Sequence, residues 1–99
     1  MSTVTTIATS GLRAADVALR VSAHNLANLQ TEGFRREQVV NTALADGGVM
    51  ASTVRSQGQG PSIHEDLVAQ LQARNAFLAN LAVFRTDSQS AGRLLNVFA

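Results

Sequence analysis

Two long stretches without proline, each with apolar or small residues stepping alternately by three and four, constrain this chain more than any other feature. In residues 4–29 the steps fall on Leu12, Ala15, Leu19, Ser22, Leu26 and Leu29; from residue 63 onward they fall on Phe77, Leu81, Phe84, Ser88, Ala91, Leu95 and Phe98. A seven-residue period of this kind marks one stripe of a helix and is the pattern of a coiled coil. Ala14, Val17, Ala18 and Val21 widen the first stripe, and Leu67, Leu71, Leu78 and Leu94 widen the second. Faces so wide call for more than one partner. At 1.5 Å per residue the helices would be roughly 39 and 50 Å long, rods that pair lengthwise and do not close around a globular core. Phe77, Leu81 and Phe84 are the expected anchors of that pairing.

The boundaries follow from glycine, proline and capping residues. Gly33 is the residue type that closes a helix in the left-handed conformation, which predicts an end near Gln30 or Thr31. Gly11 carries a cost of about 1 kcal/mol in a helix interior, so the first ten residues, rich in Thr and Ser, are expected to fray. Between the rods, Phe34, Val39, Val40, Val49, Val54 and several Thr flank Asp46-Gly47-Gly48. That predicts a β-hairpin with strands near 35–44 and 49–56, although Ala43, Leu44 and Ala45 also suit a helix. Gln57-Gly58-Gln59-Gly60-Pro61 reads as a linker. Ser62-Ile63-His64-Glu65 has the form of a capping box, opening a second helix that runs to about Val97 with Gly92 as its only breaker. The expected fold is mainly α, a single domain: an N-terminal helix over 1–32, a hairpin and Gly-rich linker over 33–62, and a C-terminal helix over 63–99. The two helices are expected antiparallel, as a coiled-coil hairpin.

The chain offers little chemistry. Its 99 residues include no Cys, Trp or Tyr and only two His, with eight Arg against seven acidic residues for a net charge of +1. Disulfides and thiolate sites are excluded. Only Arg35 and Arg36 are adjacent, which argues against a nucleic-acid surface. His24 and His64 lack the i+4 partner of a helical metal site, Gly58 and Gly60 do not follow a strand into a phosphate loop, and no nucleophile context surrounds the Ser, His and Asp residues. No catalytic, cofactor or metal residue is therefore expected. Near the start, no basic segment precedes an apolar core, and Arg13, Asp16 and Arg20 interrupt every apolar run, so neither a cleaved signal peptide nor membrane insertion is expected.

One polar series stands out from the stripes. Asn25 and Asn28 lie three apart with Thr31 three further on, hence on one face of the last turns. Their amides can bond the orphan carbonyls of the helix end, or reach a partner helix and fix its register. A cap is the simpler role for Thr31.

The run NLANLQTEGF over 25–34, preceded by SGLRAA over 10–15, resembles the N-terminal signature of flagellar rod and hook proteins. Glu32 departs from it, since the family usually has Pro there. Residues 66–97 resemble that family's C-terminal helix through Phe77, Asn80, Leu94 and Leu95, Phe77 standing where Tyr is common. The resemblance implies a non-enzymatic structural subunit of the flagellar basal-body rod, a homo-oligomer whose partners are itself, other rod proteins and the flagellar export apparatus. It implies export through the type III route, without a cleaved signal, to a rod crossing the periplasm. With only about thirty residues between the helices, a proximal rod role fits better than a hook or distal rod role. The expected assembly interface comprises Leu12, Leu19, Asn25, Leu26, Asn28, Thr31, Gly33, Phe34, Phe77, Asn80, Leu81, Phe84, Leu94 and Leu95. A helical-hairpin adaptor or chaperone-like module forming a closed dimer is the alternative, and a small Arg-bearing nucleic-acid binder a weaker one.

Overall fold

The computed structural model describes residues 3–28, 30–56 and 63–98, Phe98 by its backbone alone. Its elements are α1 (Thr3–Ala27), β1 (Glu37–Ala43), β2 (Val49–Arg55) and α2 (Ile63–Phe98). The Gly-rich linker, the capping Ser62 and Leu29 lie outside the described residues.

Helix α1 begins earlier and ends earlier than its sequence suggests. The Thr- and Ser-rich start, expected to fray, is helical from Thr3. It has support there: Thr5 is buried and its hydroxyl donates to Asp87 of α2. At the other end the helix stops at Ala27, where the Asn28 side chain takes the His24 carbonyl at 2.8 Å. The same carbonyl keeps the Asn28 N–H at 3.2 Å, so the amide adds a second donor to the last helical acceptor. Gly33 has the positive φ its sequence position predicts, +73°, yet it does not close the helix. It is the third residue of a separate turn in which the Phe34 N–H donates to the Thr31 carbonyl at 3.3 Å. Only Gly33 in that turn is left-handed, the type II pattern, and Glu32 fills the position where proline is favoured.

The hairpin forms where Asp46-Gly47-Gly48 places it. The Gly47 N–H donates to the Leu44 carbonyl at 3.1 Å, and Leu44 N–H to Gly48 carbonyl at 2.7 Å, with Gly47 at φ +96°. This is a turn followed by a left-handed glycine, a common three-residue hairpin loop. The strands pair antiparallel from Glu37 opposite Arg55 to Ala43 opposite Val49. Half-buried Glu37, Val39, Val49 and Ala51 are all odd-numbered, so the odd face lies on α1 and the even face outward. Ser10 fastens the tip: its hydroxyl accepts from the Val49 N–H at 3.1 Å and donates to the Ile7 carbonyl at 2.7 Å.

The helices are antiparallel, and their seam differs from the expected stripe. Asn25 meets Asp66, and fourteen residues back along α1 Gly11 meets Asn80, fourteen residues forward along α2. Asp66, Ala73, Asn80 and Asp87 are thus a strict seven-residue series along α2. The buried apolar residues among those described are Ala8, Ala15, Val21 and Ala73, and the buried polar ones Thr5, Ser22, Asn25 and Asp66. The residues of this α2 series are not those of the stripe read from the sequence: small and polar side chains occupy the seam. Leu12, Leu19, Leu26, Phe77, Leu81 and Phe84 flank it half-buried. Small residues let the backbones come close, and Gly11 is the extreme case: a β-carbon there would stand 2.6 Å from Asn80 Cγ.

Gly11→Ala should gain about 1 kcal/mol of helix propensity only when Asn80 is also Ala. Urea unfolding of the two single variants, the double variant and the parent should give a coupling of about 1 kcal/mol; strictly additive changes would show that the two positions share no contact.

Candidate functional site

Three segments converge at the closed end of the helical hairpin: the last turn of α1, the residues entering β1, and the first turns of α2. Asn25, 2% exposed, is the hub. Its side-chain oxygen accepts from the Glu37 N–H at 2.9 Å while its Nδ2 donates to the Glu37 carbonyl at 2.9 Å and to Asp66 Oδ1 at 3.2 Å. One amide therefore does for Glu37 what a neighbouring strand would do, and also holds α2.

Asp66, also 2% exposed, would be costly to bury alone. Arg36 supplies the counter-charge through Nη2 to Oδ1 at 2.5 Å and Nε to Oδ2 at 3.3 Å, and its Nη1 reaches Glu65 Oε2 at 3.3 Å. The hydrogen bond to Asp66 holds the Arg36 pKa above its ordinary value, against partial desolvation. Both carboxylates lie in the first turn of α2, where the helix dipole favours negative charge. Glu65 is directed to Arg36; its expected capping-box partner, Ser62, lies outside the described residues.

Asn28 and Thr31 stay local. Asn28 caps the His24 carbonyl, and the Thr31 hydroxyl donates to Asn28 Oδ1 at 3.1 Å. Phe34 packs edge-on against the His24 ring with centroids 5.3 Å apart. The two Asn residues, equivalent by spacing, thus divide the roles read for them: Asn28 satisfies the helix end and Asn25 ties the partner helix. Asn80 folds back on its own helix, donating to the Ala76 carbonyl at 2.8 Å beside Gly11.

Leu94 and Leu95 stand apart from this cluster, 60% and 71% exposed. Spacing alone did not reveal Arg36, Asp66, Ser10 and Thr5 as contact residues. Ser10 and Thr5 carry no signal beyond their place in a Ser- and Thr-rich start, whereas the adjacent carboxylates at the start of α2 and the arginine pair ahead of β1 are legible in retrospect. Among the described residues no group of three or more His, Cys, Asp or Glu could hold a metal ion, and no helix is long and apolar enough to cross a membrane.

Asn25→Ala should destabilise the chain by about 1–3 kcal/mol, because it strips partners from the Glu37 backbone and from Asp66, whereas Asn28→Ala should stay within about 0.5 kcal/mol. Equal losses in thermal unfolding would refute the division of roles. Arg36→Ala should cost about 3 kcal/mol by leaving a buried carboxylate uncompensated, and the pair R36M with D66L should recover most of that loss.

The segment that supplies Asn25 and the type II turn also matches a family model, while Arg36, Glu37 and Asp66 lie beyond it. Comparison with curated proteins gives no match. Residues 6–35 match the family described as flagella basal body rod protein, a stretch that contains Gly11, Ala15, Ser22, Asn25, Asn28, Thr31, Gly33 and Phe34. Over that segment, about a third of the chain, the sequence is similar to flagella basal body rod proteins.

Proposed function

We propose that this protein is a structural subunit of the rod that assembles with copies of itself and with other rod components through α1 and α2, in the coiled-coil manner its stripes suggest. The family supports the rod role. The observation that carries assembly is apolar surface left without a partner.

The surface area is 6980 Å², against about 5,400 Å² for a compact monomer of this mass. The radius of gyration is 17.3 Å and the extents are 62 × 24 × 15 Å, whereas a compact chain of this length has a radius of about 13 Å. Leu67, Leu71 and Leu78 share an exposed stripe on α2. Because Thr5 pairs with Asp87, residues 90–98 run past the described start of α1, an overhang of about 13 Å that carries Leu94, Leu95 and Val97. Apolar patches on this scale mark interaction surfaces. An overhang at one end of a polar rod suits a head-to-tail contact, and such contacts give filaments when their rotation does not close.

In this reading the expected interface residues work in two groups, apart from Asn80, which fills the gap at Gly11 in the seam. Asn25, Asn28, Thr31, Gly33 and Phe34 fix the shape of the closed end, while Leu94, Leu95 and the half-buried Leu12, Leu19, Leu26, Phe77, Leu81 and Phe84 meet neighbours. The subunit reaches the rod through the flagellar export apparatus and occupies a proximal position in the periplasm.

Leu94→Ser with Leu95→Ser should leave circular dichroism and thermal unfolding of the monomer within about 0.5 kcal/mol of the parent, yet abolish recovery of the chain in purified basal bodies and motility in a strain lacking it. Full incorporation would overturn assembly through the overhang. A dimer that never lengthens with concentration and stays in the cytosol would favour the closed adaptor instead.

A further inference from the structure

The hairpin presents two strand edges of unusual composition. The pair Leu44–Gly48 and the bond from Ser56 N–H to Arg36 carbonyl place the inward hydrogen bonds on even-numbered residues, since bonded and non-bonded pairs alternate along an antiparallel ladder. The odd-numbered residues therefore direct their N–H and C=O groups outward. Two of these positions are engaged: Glu37 by the Asn25 amide and the Val49 N–H by the Ser10 hydroxyl. Val39, Asn41 and Ala43 on β1, and Ala51 and Thr53 on β2, have no partner for those groups among the described residues.

Exposed edges in soluble proteins ordinarily carry charge, proline or a bulge that blocks further pairing. Here residues 38–45 and 49–54 contain no charged residue and no proline. The outer face over them is uncharged as well, with Val40, Met50 and Val54 exposed among Gln38, Thr42 and Ser52. Within the strands charge appears only at the base, where Glu37 stands opposite Arg55 with Oε1 and Nη2 3.7 Å apart, and beyond them Asp46 lies in the tip turn.

We propose that β1 of one copy adds to β2 of a second copy in the same orientation, extending the two-stranded hairpin into a sheet that runs from subunit to subunit. Charge selects this pairing over its rival. With β1 beside β2 of the neighbour, the free outward positions Val39 with Thr53 and Asn41 with Ala51 form the ladder, and the Glu37 side chain comes to the neighbour's Arg55 at its end while the Glu37 backbone stays on Asn25. A two-fold pairing of β1 with β1 offers Glu37 no cation and requires copies of opposite orientation. The inference rests on the stacking of like-oriented copies proposed above, and it assigns the hairpin a part in that stacking which the helices do not supply.

The absence of cysteine makes the test direct. Full-length chains carrying Val40→Cys and chains carrying Ser52→Cys, mixed and oxidised under assembling conditions, should give a mixed disulfide, with at least tenfold less product from either chain alone. Predominant Val40→Cys homodimer would overturn the proposal in favour of two-fold pairing, and no cross-link from chains that still assemble would overturn it altogether. Asn41→Pro gives a second route, because it removes an outward N–H without cutting a hairpin bond. It should leave the monomer's helicity unchanged and lower assembly at least tenfold, and parental assembly would sink the edge contact. Recovery of Asn41→Pro chains in basal bodies at parental level would remove the edge contact and leave the rod role standing, whereas absence of the parent chain from basal bodies would remove the rod role itself.

Discussion

The architecture depends on one buried amide. Asn25 joins Glu37 to Asp66, and with Arg36 it ties the end of one helix, the base of the hairpin and the start of the other helix into one joint. Without it the chain is two rods and a ribbon, and a two-stranded ribbon is marginal alone. Apolar burial adds little to compensate, since the buried apolar side chains among those described are alanines and one valine. Polar groups in such a joint contribute specificity more than net stability, because desolvation offsets much of what the contacts return. They set where the helices sit, and the surrounding leucines are left for other contacts.

This distribution inverts the usual economy of a small domain. A compact monomer would turn its leucines and phenylalanines inward. Here Leu67, Leu71, Leu78, Leu94 and Leu95 face solvent while Ala8, Ala15 and Ala73 fill the seam. A narrow, small-residue seam brings the helix backbones together and pushes large side chains to its flanks, where they are available to neighbours on either side. The elongated shape and the rod-protein similarity of residues 6–35 are what the proposed stacking rests on.

Much of this was legible in the sequence, because periodicity and turn chemistry act locally. Proline-free heptad spacing located both helices, and Asp46-Gly47-Gly48 located the hairpin. The resemblance read from residues 25–34 falls within the segment 6–35 that matches the rod-protein family model. The seam itself was not legible, since Leu12 and Phe77 outrank Ala8 and Ala73 on any hydrophobic scale, and only the close approach at Gly11 and Asn80 makes small residues the better fit. The helix end was misplaced because Gly33 signals a left-handed turn that here belongs to a separate turn over Thr31–Phe34, while the chain leaves the helix earlier, where Asn28 covers the His24 carbonyl. Arg36 and Asp66 are thirty residues apart, and sequence spacing is silent on contacts closed by a hairpin.

The seven-residue series Asp66, Ala73, Asn80, Asp87 also governs sliding. A seam built of alanines alone would look nearly the same after one helix moved by two turns, and such helices can shift past one another at small cost. In this chain a two-turn slip would carry Asp66 from Asn25 to Ala18 and draw Asn80 away from the gap at Gly11. A carboxylate would then face a methyl group, and a vacant notch would face a smaller side chain. The polar members of the series thus act as teeth on an otherwise smooth rail, holding the two rods at a fixed offset and with them the length of helix that projects beyond the pair.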